Sequence, residues 1–129
     1  MEDPVYHYVV IDDNESIQSF IIQVLNEFDW LCVEQSFGNL SDAVCYLKCH
    51  EVDIVFLDLC LPDMDGLDIF DQLEKMPYTI IITAFADQFS RGVCRKIGKG
   101  ISAFIEKPFT SEALLNAIEN FKRSRLKGE

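Results

Sequence analysis

Short apolar runs alternate with amphipathic stretches along this chain, and that alternation restricts the fold more than any other feature. The runs are Tyr8-Val9-Val10-Ile11, Leu31-Cys32-Val33, Val52-Asp53-Ile54-Val55-Phe56-Leu57, Thr79-Ile80-Ile81-Ile82 and Ala103-Phe104-Ile105. Between and after them, apolar residues recur at helical spacing: Ile17, Phe20, Ile21, Val24, Leu25 and Phe28; Leu40, Ala43, Val44 and Leu47; Leu67, Phe70 and Leu73; Phe89, Val93 and Ile97; Leu114, Ile118 and Phe121. Repeated βα units of this kind pack as a mainly parallel sheet with helices on both faces. The third run is nearly continuous in β-branched and aromatic residues, as a strand buried on both sides must be. Five strands and five helices are therefore expected in one α/β domain over residues 1–129, doubly wound in the order 2-1-3-4-5. Thr110 or Ser111 is placed to cap the last helix.

The composition sets outer limits on function. A chain of 129 residues with 49% hydrophobic content holds one packed core. No apolar run approaches the roughly 18 residues that span a bilayer, and Met1-Glu2-Asp3-Pro4 lacks the basic start of a signal peptide, so a cytoplasmic protein without membrane contact is expected. A net charge of −11 repels nucleic acid and anionic membrane. The basic cluster at the end, Lys122, Arg123, Arg125 and Lys127, suits a helix C-terminus or the start of a linker. Five cysteines without CxxC spacing suggest reduced thiols, with Cys45 and Cys49 read as small buried hydrophobes. His7 and His50 are assigned structural or surface roles.

The strongly polar groups that interrupt apolar runs stand at C-terminal ends of strands: Asp12 and Asp13 after the first, Asp58 after the third, Thr83 after the fourth, Lys107 after the fifth. Strands one and three lie side by side where the winding reverses, so these groups meet in one crevice. Three carboxylates gathered there repel one another unless cations intervene. The Lys107 ammonium and a divalent ion supply the remedy, and oxygen donors with solvent access suit Mg²⁺. Asp58, central in the crevice, is the candidate nucleophile toward a phosphoryl group, with Lys107 and the Thr83 hydroxyl reaching further phosphoryl oxygens. Any one of these residues alone is an ordinary turn or cap residue. Their joint occurrence, with Asp13, Asp58, Thr83 and Lys107 separated by 45, 25 and 24 residues, fits intervening βα units.

Val9-Val10-Ile11-Asp12-Asp13, Asp58-Leu59-Cys60-Leu61-Pro62-Asp63-Met64-Asp65-Gly66, Thr83-Ala84 and Phe104-Ile105-Glu106-Lys107-Pro108 together resemble the response-regulator receivers of two-component systems over essentially the whole chain. The resemblance implies a flavodoxin-like sheet and a signalling domain that promotes only its own phosphorylation and dephosphorylation. Asp58 is then the phosphoacceptor, Asp13, Asp58 and the Cys60 backbone carbonyl ligate Mg²⁺, and Asp12 acts through water. Lys107-Pro108 is expected to be cis, at the low cost proline allows. The implied donor is a sensor histidine kinase or a histidine phosphotransfer protein. Thr83 and Phe104 become a switch pair, in which Thr83 moves toward the phosphoryl group and the Phe104 ring fills the vacated space. That change alters the surface of the fourth helix, fifth strand and fifth helix, which meets an output domain or target protein and is a candidate for homodimerisation.

Three positions depart from the commoner pattern of such receivers or modulate it. Phe replaces Tyr at 104, so burial of a ring is available but not of a hydroxyl. Cys60 and Phe85, two residues beyond Asp58 and Thr83, flank the path of hydrolytic water, and the bulk of Phe85 is expected to slow phosphoryl loss. Without the resemblance, Phe104 reads as a core aromatic. The alternatives are a haloacid-dehalogenase-type phosphatase, which would need Asp-x-Asp where this chain has Asp12-Asp13-Asn14, and an inert receiver-like interaction module.

Overall fold

β-Branched and aromatic runs set where the chain crosses its sheet. The computed structural model describes residues 4–63, 65–84 and 101–126. Its strands are β1 (Tyr6–Ile11), β2 (Leu31–Phe37), β3 (Ile54–Leu57), β4 (Tyr78–Thr83) and β5 (Ile101–Glu106), paired in parallel in the order β2-β1-β3-β4-β5. The expected doubly wound topology is the observed one. Residues Tyr8 to Ile11 of β1 lie in register with Ile54 to Leu57 of β3, so the two strands on either side of the winding reversal end together.

The described helices are α1 (Glu15–Leu25), α2 (Leu40–Cys49), a 3₁₀ turn (Gly66–Asp68) leading into α3 (Ile69–Gln72), and α4 (Ser111–Leu126), which is the fifth helix of the sequence reading. The expected fourth helix, with Phe89, Val93 and Ile97, lies outside the described residues, as do Met64, Phe85, Cys94 and Lys127. None of the described helices is long and apolar enough to cross a membrane.

Strand alternation divides the core in two. Tyr8, Val10, Ile54, Phe56, Ile80 and Ile82 pack with Ile21 and Leu25 of α1 and Leu114, Ile118 and Phe121 of α4. Val9, Ile11, Val55, Leu57 and Ile81 face the other way, against Leu40, Ala43 and Val44 of α2 and Ile69 of α3. Phe121 anchors the first layer, with edge-on contacts to Tyr6 at 4.9 Å and Tyr78 at 5.0 Å between ring centroids.

Two local expectations need correction. Cys45 and Cys49 are exposed, not buried, because α2 turns Leu40, Ala43 and Val44 inward and Cys45 follows Val44 onto the outer side. The third helix is a short piece whose buried residue is Ile69, while Leu67, Phe70 and Leu73 are only partly covered. It stops where Leu73 turns to extended backbone, four residues before Pro77. Thr110 rather than Ser111 caps α4, accepting from the Ala113 amide at 3.3 Å.

The N-terminus of α2 is capped twice, once from a distant segment. Asn39 accepts from the Asp42 amide at 2.9 Å. The carboxylate of Asp63 takes the two preceding amides, Leu40 at 2.9 Å and Ser41 at 3.0 Å, and also accepts from the Ser41 hydroxyl at 2.8 Å. The Leu40 amide, and after it the Ser41 hydroxyl and amide, hold the Asp63 carboxyl below the ordinary carboxylate range.

Two stability measurements test this architecture. A lowered native pKa means that the ionised Asp63 stabilises the fold above the ordinary carboxylate pKa and that this contribution disappears as pH falls through the native value. The stability gap between wild type and Asp63→Ala in urea denaturation should therefore shrink on acidification; a gap independent of pH would contradict the cap. Phe121→Ala should cost about 3–5 kcal/mol in the same assay, and a loss below about 1 kcal/mol would mean that the first layer does not depend on that ring.

Candidate functional site

Three of the predicted site residues sit one step past the end of a strand or at its rim, and their amides still belong to the sheet. The Asp12 amide donates to the Phe37 carbonyl, the Asp58 amide to the Ile11 carbonyl and the Lys107 amide to the Thr83 carbonyl, each at 2.9 Å. With the backbone fixed in this way, the side chains converge above the sheet. The Lys107-Pro108 peptide that follows β5 is cis.

The Lys107 ammonium stands between two buried carboxylates. It donates to Asp12 Oδ2 at 2.8 Å and to Asp58 Oδ2 at 3.0 Å. Asp12 is 2% exposed and Asp58 5%, so neither charge is relieved by bulk water. Their other oxygens accept backbone amides, Asn14 onto Asp12 Oδ1 at 2.9 Å and Cys60 onto Asp58 Oδ1 at 3.1 Å. Asp13 is exposed, yet one carboxylate oxygen from each of Asp12, Asp13 and Asp58 lies within 4.8 Å of the others.

The electrostatics of the pocket are unbalanced. Burial pushes the Asp12 carboxyl above the ordinary range, outweighing the Lys107 and Asn14 hydrogen bonds, and the Asp58 charge adds in the same direction. Burial pulls Lys107 down, but its bonds to Asp12 and Asp58 overcome that and hold it above its usual value, so it is charged at neutral pH. Burial, then the Asp58 and Asp65 charges, push the Cys60 thiol up, which makes it a protonated and weakly nucleophilic group. Three carboxylates against one ammonium leave negative charge on an all-oxygen donor set. That chemistry fits a hard divalent cation open to solvent on the Asp13 side.

The loop after β3 is held close to Asp58. The Gly66 amide donates to the Leu59 carbonyl at 2.9 Å, Cys60 and Asp65 form an antiparallel bridge, and Asp65 caps the Leu67 amide at 2.9 Å. A Cβ at Gly66 would lie 2.5 Å from the Asp58 carbonyl oxygen and 2.8 Å from Leu59 Cα, so only glycine permits this approach. The Cys60 carbonyl is thereby carried on a tightly folded segment two residues past Asp58.

Thr83 is fully buried at the end of β4, joined through its carbonyl to Lys107. Phe104 lies on β5 opposite Ile81 and is 37% exposed, so it is not the core aromatic that composition alone would suggest. Asp12, Asp13, Asp58 and Lys107 are thus gathered in one pocket, Thr83 adjoins it through the backbone, and Phe104 faces outward on the edge strand. Residues passed over in the sequence also support the site. The Gln18 side chain donates to the Asp12 and Phe37 carbonyls, tying α1 to the ends of β1 and β2. Asn14 caps α1 by accepting from Ser16 and Ile17 while its amide holds Asp12. An Asn directly before an apolar helical stripe is a legible cap signal, whereas Gln18 carries none.

Comparison with known proteins places this geometry in context. The sequence profile of the response regulator receiver domain matches residues 8–119. The chemotaxis protein CheY of Listeria monocytogenes is 30% identical over 112 residues, covering 86% of this chain and 93% of that protein. The "Probable C4-dicarboxylate response regulator DctR" of Priestia megaterium is 24% identical over 128 residues, 98% of this chain, which spans only 56% of that relative. Among solved structures, a CheY-like response regulator receiver domain protein from Methanospirillum hungatei superposes with a TM-score of 0.82 at 22% identity, over 97% of this chain and 99% of that one, a likeness of fold. With a family match across most of the length, on a doubly wound sheet with acidic groups at the winding reversal, this chain belongs to the response regulator receiver domain family, a family of signalling domains.

Proposed function

We propose that this chain, residues 1–129, acts as a single receiver domain that accepts a phosphoryl group on Asp58 from a sensor histidine kinase or a histidine phosphotransfer protein of a cytoplasmic two-component system. The observation that carries the reading is the buried Asp58 carboxylate, held between the Lys107 ammonium and the Cys60 amide with oxygens of Asp12 and Asp13 close by. Asp13, Asp58 and the Cys60 backbone carbonyl would hold Mg²⁺, with Asp12 acting through water. Bound Mg²⁺ would offset the carboxylate charges and take a phosphoryl oxygen as ligand.

In the transfer step an Asp58 carboxylate oxygen attacks phosphorus, the bond from phosphorus to the donor imidazole nitrogen breaks, and the released imidazole takes a proton from water. The product is an acyl phosphate on Asp58. Lys107, already bonded to the carboxylate, stabilises the charge that gathers on a phosphoryl oxygen, and the Thr83 hydroxyl serves another. Displacement of Thr83 toward the phosphoryl group is coupled to burial of the Phe104 ring, which starts 37% exposed. The surface around β5 and α4 then reports the state of Asp58 to an output domain or target protein, or to a second copy of the chain.

Incubation with acetyl phosphate and Mg²⁺ should add one phosphoryl group, seen by intact mass, that is absent without Mg²⁺ and absent in Asp58→Asn. Retention of the label in Asp58→Asn would remove the reading, and failure of the wild type to take any label with Mg²⁺ present would favour an inert interaction module. Lys107→Met should keep Mg²⁺ uptake, since it removes a positive charge from the pocket, while slowing labelling on the order of a hundredfold. Unchanged labelling would show that the ammonium has no part in transfer.

A further inference from the structure

The carboxylate pocket is built from two strand ends that belong to different βα units. Strands β1 and β3 pair directly up to the Asp58 amide on the Ile11 carbonyl, and a second set of hydrogen bonds joins the units through the start of α2. On one side, the Asp12 amide and the Gln18 side chain both donate to the Phe37 carbonyl, at 2.9 and 3.2 Å, where β2 gives way to α2. On the other, the loop that begins at Asp58 and carries Cys60 reaches the same junction through Asp63, whose oxygens accept the Leu40 and Ser41 amides and the Ser41 hydroxyl. Leu40 is fully buried, only three residues past Phe37. Near its other end the loop is fastened by the Gly66 to Leu59 bond and the Cys60 to Asp65 bridge.

From this arrangement, and resting on the function proposed above, we infer that Asp63 is a positioning residue for the metal pocket: by gripping the first turn of α2 it ties the Asp58–Cys60 loop to the junction that already holds Asp12. A helix cap alone would not require it. Asn39, directly before Leu40, caps the same helix through the Asp42 amide, and among the described residues its side-chain hydrogen bonds run to Asp42 alone. The two caps therefore separate helix stability from loop position. Without Asp63 the Leu40 and Ser41 amides lose their acceptor, and the tip of the loop loses its bonds to the β1 side of the pocket. With Asp58 still fixed by its amide to the Ile11 carbonyl, the Cys60 carbonyl farther along the loop would then sample a wider range of separations from Asp12 and Asp13, and a cation that demands near-ideal octahedral geometry is sensitive to that spread.

The test compares Mg²⁺ affinity by isothermal titration calorimetry in the wild type, Asp63→Ala, Asp63→Asn and Asn39→Ala, with amide hydrogen exchange at Leu40 and Ser41 followed in parallel. Asp63→Ala should weaken Mg²⁺ binding by about tenfold, the lower end of what loss of a supporting partner costs a metal site. Asp63→Asn, which keeps one acceptor oxygen, should weaken it by about threefold, and Asn39→Ala by less than about twofold although it loosens the same helix. Affinity in Asp63→Ala within about twofold of wild type, or an equal loss in Asn39→Ala, overturns the inference. Should Asp63→Ala fail to fold, the Asp63→Asn and Asn39→Ala pair decides by the same order of affinities. A wild-type chain that takes up no Mg²⁺ defeats the functional reading and this inference with it, whereas normal wild-type uptake with indifferent Asp63 variants defeats the inference alone.

Discussion

The ammonium of Lys107 between the carboxylates of Asp12 and Asp58 is the contact around which the rest of the molecule is arranged. Two unit charges 4 Å apart interact with about 4 kcal/mol at the effective dielectric of a protein surface. Asp12, Asp13 and Asp58 make three mutually repelling pairs, and the ammonium forms ion pairs with two of the three, at 2.8 and 3.0 Å. Attraction and repulsion are of comparable size, so the lysine holds the pocket together without neutralising it. Burial raises the Asp12 carboxyl further, with the Asp58 charge a smaller push in the same direction. A pocket left short of positive charge, with oxygen donors facing solvent at Asp13, is prepared for a divalent cation and for an anionic group that the cation can bring in.

Holding such a pocket open requires a backbone that does not yield to the repulsion. The sheet provides it by extending its hydrogen-bond ladder one residue past the strand ends, through the Asp12, Asp58 and Lys107 amides. Residues immediately behind them, Val10, Ile11, Phe56 and Leu57, are almost entirely buried, with helices packed on both sides. Close packing of this kind resists displacement, so the strand ends keep their separation under the repulsion of the carboxylates.

Those features were legible in the sequence because they depend on local pattern. Apolar runs gave the strands, their polar ends gave Asp12, Asp13, Asp58, Thr83 and Lys107, and the rules of doubly wound sheets brought those ends together. The outward position of Cys45 and Cys49 was also implicit in the helical period once Ala43 and Val44 were placed inside, but their apolar character argued the other way. What could not be read is contact between segments distant in sequence that no periodicity links. Asp63 caps a helix that begins 23 residues earlier, and as part of a Pro- and Asp-containing loop it looked like a turn residue. Gln18 is one polar residue among several on α1, and nothing in its neighbours marks that its amide meets two carbonyls. Helix α3 ends where Leu73 becomes extended, although Leu67, Phe70 and Leu73 keep helical spacing, so the pattern alone does not show its brevity.

In the proposed switch, the place of Phe104 at the sheet edge is what lets its ring respond to chemistry at the centre. A ring such as Phe56, 1% exposed and in contact with Tyr8, cannot change its environment without opening a cavity worth several kcal/mol. Phe104 stands on β5, the last strand of the order, and begins 37% exposed. Burying it gains apolar area instead of creating a void, on the order of 1–2 kcal/mol for a partly covered aromatic side chain. A gain of that size is comparable with the net worth of one hydrogen bond, so in the proposed switch a single bond made by Thr83 would suffice to tip it. The same chain continues from Phe104 through Glu106, paired with Thr83, to Lys107. Edge exposure and central charge are therefore three residues apart in the chain, with Lys107 one step past the end of β5, which gives the proposed coupling a short path to the surface.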